Sequence, residues 1–163
     1  QMTMFKTQKG DWFFFIIPAT LIWLAGLAIT AWDFRQAQRT VWPFAWHHYL
    51  GLGLMVAGVA IRLLARWTLG RHFSWRLRAV DGHKLVQEGL YRYIRHPAYT
   101  GDLMFQFGIP IFLASLPGLL VMLLLIPCMV NRIGMEEKML VEQFGQEYLN
   151  YRQSTKKLIP YVY

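Results

Sequence analysis

Residues Trp12 to Trp32 are apolar almost throughout. About 20 such residues are what an α-helix needs to cross the hydrocarbon of a bilayer. In that medium only helices and closed barrels satisfy their backbone groups. The run is longer than the apolar core of a signal peptide. It also lacks a small-x-small cleavage site before a polar start, so it reads as a membrane span. Pro18 is tolerable near its start, and the polar stretch Asp33 to Arg39 ends it.

The same pattern recurs. Tyr49 to Leu69 is a second span, interrupted by Arg62 and Arg66. These arginines are four apart and share a helix face, either snorkelling to the membrane edge or facing the protein interior. Gly51, Gly53 and Gly58 suit close helix packing. Gly51-Leu52-Gly53 has no strand before it, which sets it apart from a phosphate-binding loop. Ala98 to Ser115 and Leu119 to Val130 are two shorter apolar arms, with Leu116-Pro117-Gly118 read as a tight turn between them. From Glu136 onward Leu140, Phe144, Tyr148 and Tyr151 recur at helical spacing, predicting an amphipathic helix. The expected fold is an all-α integral membrane protein. It has about four transmembrane helices and a C-terminal amphipathic helix on the cytoplasmic side. Residues 1–163 make one membrane domain, with two spans in 1–69 and the chemistry, including a helical hairpin, in 70–163.

Charge supports this and gives an orientation. Charged residues are 16% of the chain, against about 25% in soluble domains. The net charge of +8 would suit nucleic acid or an anionic membrane face. A nucleic-acid binder has no use for Leu119 to Val130, so the membrane reading stands. The segment Gly70 to Arg95 holds Arg71, Arg76, Arg78, Lys84, Arg92 and Arg95. Positive residues stay on the cytoplasmic side; Lys6, Lys9, Arg152, Lys156 and Lys157 then fall there too. The single cysteine, Cys128, excludes an internal disulfide. His47-His48 has no carboxylate or cysteine at ligand spacing and reads as an interfacial pair, with no metal expected. Trp12, Trp32, Trp42, Trp46, Trp67 and Trp75 read as interfacial belts.

Two polar sets flank the hairpin. The first is Asp81-Gly82-His83-Lys84-Leu85-Val86, Gly89-Leu90-Tyr91 and Arg95-His96-Pro97-Ala98-Tyr99-Thr100-Gly101; the second is Arg132, Glu136, Glu137, Phe144-Gly145 and Tyr148. Crossing the membrane twice returns the second set to the face of the first. Arg132, Glu136, Leu140, Phe144 and Tyr148 step by four. A helix continuing through them puts Arg132 and Glu136 on a buried stripe, where charge is costly unless paired or used. From the residues alone, a mutual salt bridge and a functional site are both open.

These motifs, in this order and spacing from about Gly70 to the C-terminus, resemble the isoprenylcysteine carboxyl methyltransferases. They also resemble the wider group of membrane methyltransferases that includes phospholipid N-methylating enzymes. The resemblance implies S-adenosylmethionine as cofactor, with S-adenosylhomocysteine as product. It implies a cofactor strip of His83, Lys84, Leu85, Val86, Tyr91, His96, Pro97, Ala98 and Tyr99, with Glu136 as a further contact. It implies Arg132 as the group that holds the acceptor carboxylate, and Arg132, Glu136 and Glu137 as the catalytic set. The implied partner is a lipophilic small molecule or lipidated acceptor, taken from among membrane lipids, at a site facing the cytoplasm. Two departures stand out: only two spans precede the motifs here, and Arg76 stands where some members have glutamine. Rival readings are phospholipid N-methylation, which needs a base such as Glu137 or His96, S-methylation of a small thiol, and a non-enzymatic membrane scaffold. The arginines from Arg71 to Arg95 also serve to set topology and meet anionic lipids; Arg95, beside His96, is the one least readily assigned to that alone.

Overall fold

A computed structural model describes residues 15–70 and 85–159. His83, Lys84, Arg71, Arg76, Arg78, Asp81, Trp12, Trp75, Lys6, Lys9 and Pro160 lie outside the described residues. Among the described residues six α-helices follow in order: α1 Ile17–Gln36, α2 Trp46–Leu69, α3 Pro97–Phe112, α4 Leu116–Met122, α5 Leu125–Phe144 and α6 Gln146–Ser154, with a short 3₁₀ turn at Gly89–Arg92 before α3. The chain is an all-α, multi-pass integral membrane protein. By length and composition, three stretches can cross a bilayer among the described residues: α1, α2 and Leu116–Phe144.

α1 runs four residues past its expected end and closes where Arg39 Nη1 donates to Asp33 Oδ2 at 2.7 Å. α2 begins three residues earlier than the apolar run suggested. His48 explains this: its Nδ1 accepts from the Ala45 N–H at 2.9 Å, capping the helix start. Its ring stacks on Phe44, and it is 3% exposed. His48 is therefore a buried cap rather than half of an interfacial pair.

α2 and α3 pack antiparallel through glycine. A Cβ on Gly51 would stand 2.5 Å from Phe112 N, and one on Gly58 would stand 2.5 Å from Gly101 O. Gly101 and Gly108 meet the facing backbone in the same way. The seven-residue spacing of each pair, two helical turns, keeps both contacts on one face. Gly53 does not share this role, since a Cβ there meets nothing. Beside Gly58 and Gly101, Arg62 Nη1 pairs with Asp102 Oδ1 across the two helices. Arg62 thus faces inward, whereas Arg66 is exposed.

The hairpin turns three residues earlier than Leu116-Pro117-Gly118. Leu113 to Ser115 make the turn, with Ala114 at φ 52°. Ser115 Oγ accepts from the Gly118 N–H at 3.2 Å, so Pro117 falls in the first turn of α4. Proline is well placed there because that N–H has no helical partner to lose. The second arm is consequently long: α4 and α5 together span 29 residues. The first arm, α3, has 16 residues, about 24 Å at 1.5 Å per residue.

The C-terminal helix also differs from expectation. α5 carries Arg132 through to Phe144 without a break, then Gly145 at φ 55° starts a new direction. Only glycine adopts that backbone without strain. Tyr148 and Tyr151 therefore lie on α6, not on a continuation of α5.

Candidate active site at the end of α3 and α5

The residue before a proline is pushed out of the helical region, so α3 starts at Pro97 with His96 just outside it. His96 is 4% exposed. On α5, Arg132, Glu136 and Glu137 lie within two turns of one another. α3 and α5 are bridged here by long side chains. Arg132 Nε donates to the Tyr99 hydroxyl at 2.8 Å, and that hydroxyl donates to Glu136 Oε2 at 2.8 Å. One phenol from α3 thus ties an arginine to a carboxylate four residues further along α5. Phe15 covers one face of Arg132, with its ring centroid 4.7 Å from Cζ, a favourable place for a guanidinium.

His96 stands between the two glutamates. Its Nδ1 is 3.9 Å from Glu136 Oε1 and its Nε2 is 3.6 Å from Glu137 Oε1, both beyond hydrogen-bond length. Glu137 is instead bonded to Arg95, whose Nε lies 2.8 Å from Oε1, with both side chains under 10% exposed. On the stripe itself, Arg132 and Glu136 are joined through the Tyr99 hydroxyl, and the neighbouring Glu137 is in a salt bridge with Arg95. Among the described residues, three buried side-chain atoms lack a hydrogen-bond partner: His96 Nε2, the Tyr148 hydroxyl and, on α3, Gln106 Oε1. Buried polar atoms are nearly always paired, and the first two of these lie in the site.

The structure brings His96, Tyr99, Arg132, Glu136 and Glu137 together. Pro97 is buried beside them, and Ala98 is half-buried. Tyr91 is buried nearby, where its carbonyl accepts from the Tyr151 hydroxyl at 2.6 Å. Leu85 and Val86 are half-buried in the approach to the 3₁₀ turn. Burial raises the phenols of Tyr91 and Tyr148 well above their ordinary range and pushes Tyr151 up to about 12. All three keep their protons at neutral pH. Thr155 had no role in the sequence pattern, where Arg95 stood only as part of the first polar set and Tyr151 only on the amphipathic stripe. Thr155 and Tyr151 lie in a stretch whose spacing advertises only an amphipathic helix.

The fold and site are those of an α-helical integral membrane protein with a polar cluster between the start of α3 and the middle of α5. The model of the isoprenylcysteine carboxyl methyltransferase (ICMT) family matches residues 51–142, more than half of the chain, and the chain belongs to that family. A probable protein-S-isoprenylcysteine O-methyltransferase of Oryza sativa subsp. indica is 37% identical over 117 residues, 70% of this chain and 61% of that one. The protein-S-isoprenylcysteine O-methyltransferase of Rattus norvegicus is 28% identical over 142 residues, 83% of this chain and 50% of that one. The fold is similar to the solved eukaryotic intramembrane Ras methyltransferase ICMT, with a TM-score of 0.70 and 26% identity, covering 97% of this chain and 55% of that chain. The chain thus spans about half to three fifths of the length of these relatives.

Proposed function

We propose that the chain methylates the carboxylate of an isoprenylcysteine-like lipophilic acceptor, with S-adenosylmethionine as the methyl donor. The observation that carries this reading is the Arg132–Tyr99–Glu136 chain. It sets a fixed cation and a fixed anion side by side in the middle of α5, against the start of α3. A guanidinium suits a carboxylate because its planar fork matches the two oxygens. A glutamate suits a positively charged donor.

His96, Tyr148, Tyr91, Tyr99 and Glu136 would hold S-adenosylmethionine, with Leu85, Val86, Pro97 and Ala98 around them. His83 and Lys84 complete the proposed strip from outside the described residues. The unpartnered His96 Nε2 and Tyr148 hydroxyl fit a ligand rich in polar groups. S-adenosylmethionine supplies a methyl group on a positively charged sulfur. The chain's own residues align and desolvate the acceptor. Arg132 orients the carboxylate, Tyr99 holds Arg132 in place, and the apolar helices exclude water.

A carboxylate is ionised at neutral pH and needs no base. An ammonium acceptor would need one, and Glu137 is already bonded to Arg95. That leaves His96 as the base that phospholipid N-methylation would need. The site is read as cytoplasmic because the basic C-terminal segment runs beside Arg95, and both then lie on the positive side.

The test uses purified protein in lipid with methyl-labelled S-adenosylmethionine and a prenylated cysteine analogue. Base treatment of the product is expected to release volatile labelled methanol, the mark of a methyl ester. Label that stays with the lipid after base would overturn the carboxyl reading.

A further inference from the structure

We propose that Arg95 is a positioning residue: it pins the C-terminal segment to the site and so fixes His96 and Tyr148 around Glu137. The inference rests on the methyl-donor reading above for its functional half, and on geometry alone for the pin.

A single guanidinium serves two separate elements here. On one side, Nε donates to Glu137 Oε1 on α5 at 2.8 Å. On the other, Nη1 donates to the Arg152 carbonyl at 3.1 Å, to the Thr155 carbonyl, and to Thr155 Oγ1 at 3.3 Å. Arg152 and Thr155 stand at the end of α6. Helix C-terminal carbonyls lack helical partners and carry partial negative charge, so a buried cation caps them well.

The backbone repeats the same connection. The Arg95 N–H donates to the Lys156 carbonyl at 2.8 Å and the His96 N–H to the Lys157 carbonyl at 3.0 Å, while the Lys156 N–H donates to the Tyr93 carbonyl at 3.2 Å. Thr100 Oγ1 donates to the Leu158 carbonyl at 2.7 Å. The segment 155–158 therefore lies alongside 93–96, in parallel. His96 is the next residue after Arg95, and Tyr148 is carried by the helix that Arg95 caps. Loosening the pin must move both of the unpartnered groups.

Arginine is the side chain that can do this. Its rigid fork reaches two directions at once, whereas a lysine ammonium acts as one point charge. Arg95→Lys keeps a cation for Glu137 but cannot also hold the end of α6. Thr155→Val weakens the pin from the other side without touching the charges.

The experiment measures trypsin cleavage after the exposed Arg152 and Lys156, together with S-adenosylhomocysteine affinity, in wild type and both variants. Arg95→Lys is expected to remain folded, to be cleaved faster, and to bind S-adenosylhomocysteine about tenfold more weakly, the scale of one lost charged hydrogen bond. Thr155→Val should shift both readouts the same way by less. The double variant should fall short of the sum, because both substitutions release one connection. Unchanged cleavage would overturn the pin. Faster cleavage with affinity within twofold of wild type would reduce Arg95 to a purely structural role. Wild-type protein that binds no S-adenosylhomocysteine would defeat the donor reading, and cleavage alone would then decide the pin.

Discussion

The α2–α3 interface and the site between α3 and α5 join helices by opposite means. At the first, four glycines, Gly51, Gly58, Gly101 and Gly108, let backbone meet backbone, with the Arg62–Asp102 pair beside them. At the second, Arg95, Tyr99, Arg132, Glu136 and Glu137 reach across the space between the helices. The first contact is set by volume, which tolerates nothing added. The second is set by hydrogen-bond chemistry, which tolerates nothing removed. α3 belongs to both, with its glycine face on α2 and Tyr99 on another. The scaffold and the site thus share one helix.

The largest expected effect breaks the glycine contact. In Gly58→Leu, the Cβ alone would stand 2.5 Å from the Gly101 carbonyl and 2.7 Å from Phe105 N. Neither backbone atom can move aside without separating the helices. Overpacking of this kind costs about 1–3 kcal/mol or more, and here it should leave little folded protein. Thermal unfolding in detergent and monodispersity on size exclusion check this.

Next comes Arg132→Ala, which tests the other mode of contact. Acceptor turnover should fall by a factor corresponding to about 2–5 kcal/mol, the range for removing one partner of a buried charged contact. S-adenosylhomocysteine affinity should hold. Steady-state kinetics with a direct binding measurement separates the two. Loss of donor binding with acceptor affinity unchanged would remove Arg132 from the acceptor side.

A smaller effect sharpens the site's edge at high pH. Tyr151 has its pKa raised to about 12 by burial, above the reference of about 10. The folded state therefore holds the proton more tightly than the unfolded state. Its contribution is fully present below about pH 10 and is lost as pH rises through about 12. Alkaline unfolding should begin above pH 10, together with the appearance of tyrosinate absorbance. Tyr151→Phe should remove that tyrosine's share of the absorbance change.

The smallest effect is at Gly53. A Cβ there meets nothing, so Gly53→Ala should change stability by less than about 0.5 kcal/mol or raise it through helix propensity. Thermal unfolding of this variant beside Gly58→Leu tests whether packing, rather than glycine content, holds α2 to α3.

Legibility in the sequence follows from how local each signal is. Apolar runs located α1 and α2 to within a few residues, because burial in hydrocarbon acts on each residue in turn. The motif around His96, Pro97 and Tyr99 and the set Arg132, Glu136 and Glu137 located the residues that the structure brings together. Gly51, Gly53 and Gly58 looked alike in one dimension, and only their facing directions separate them. Leu116-Pro117-Gly118 read as a turn because proline and glycine are turn residues. Proline is equally at home in a first helical turn, and the Ser115 cap decides between the two.

By itself the sequence determined that this chain is helical, enters a membrane, and carries two polar sets on one side of it. Length, apolarity and the step of four along a helix are properties of neighbours, and neighbours are what a sequence records. The tertiary structure alone decided which charge meets which. Glu137 pairs with Arg95, 42 positions away. The Arg95 guanidinium then reaches Thr155, 60 positions on. Those pairings depend on the break at Gly145 and the turn at Ala114, small changes of backbone direction that bring distant side chains within a few ångströms. No periodicity in the chain encodes the result.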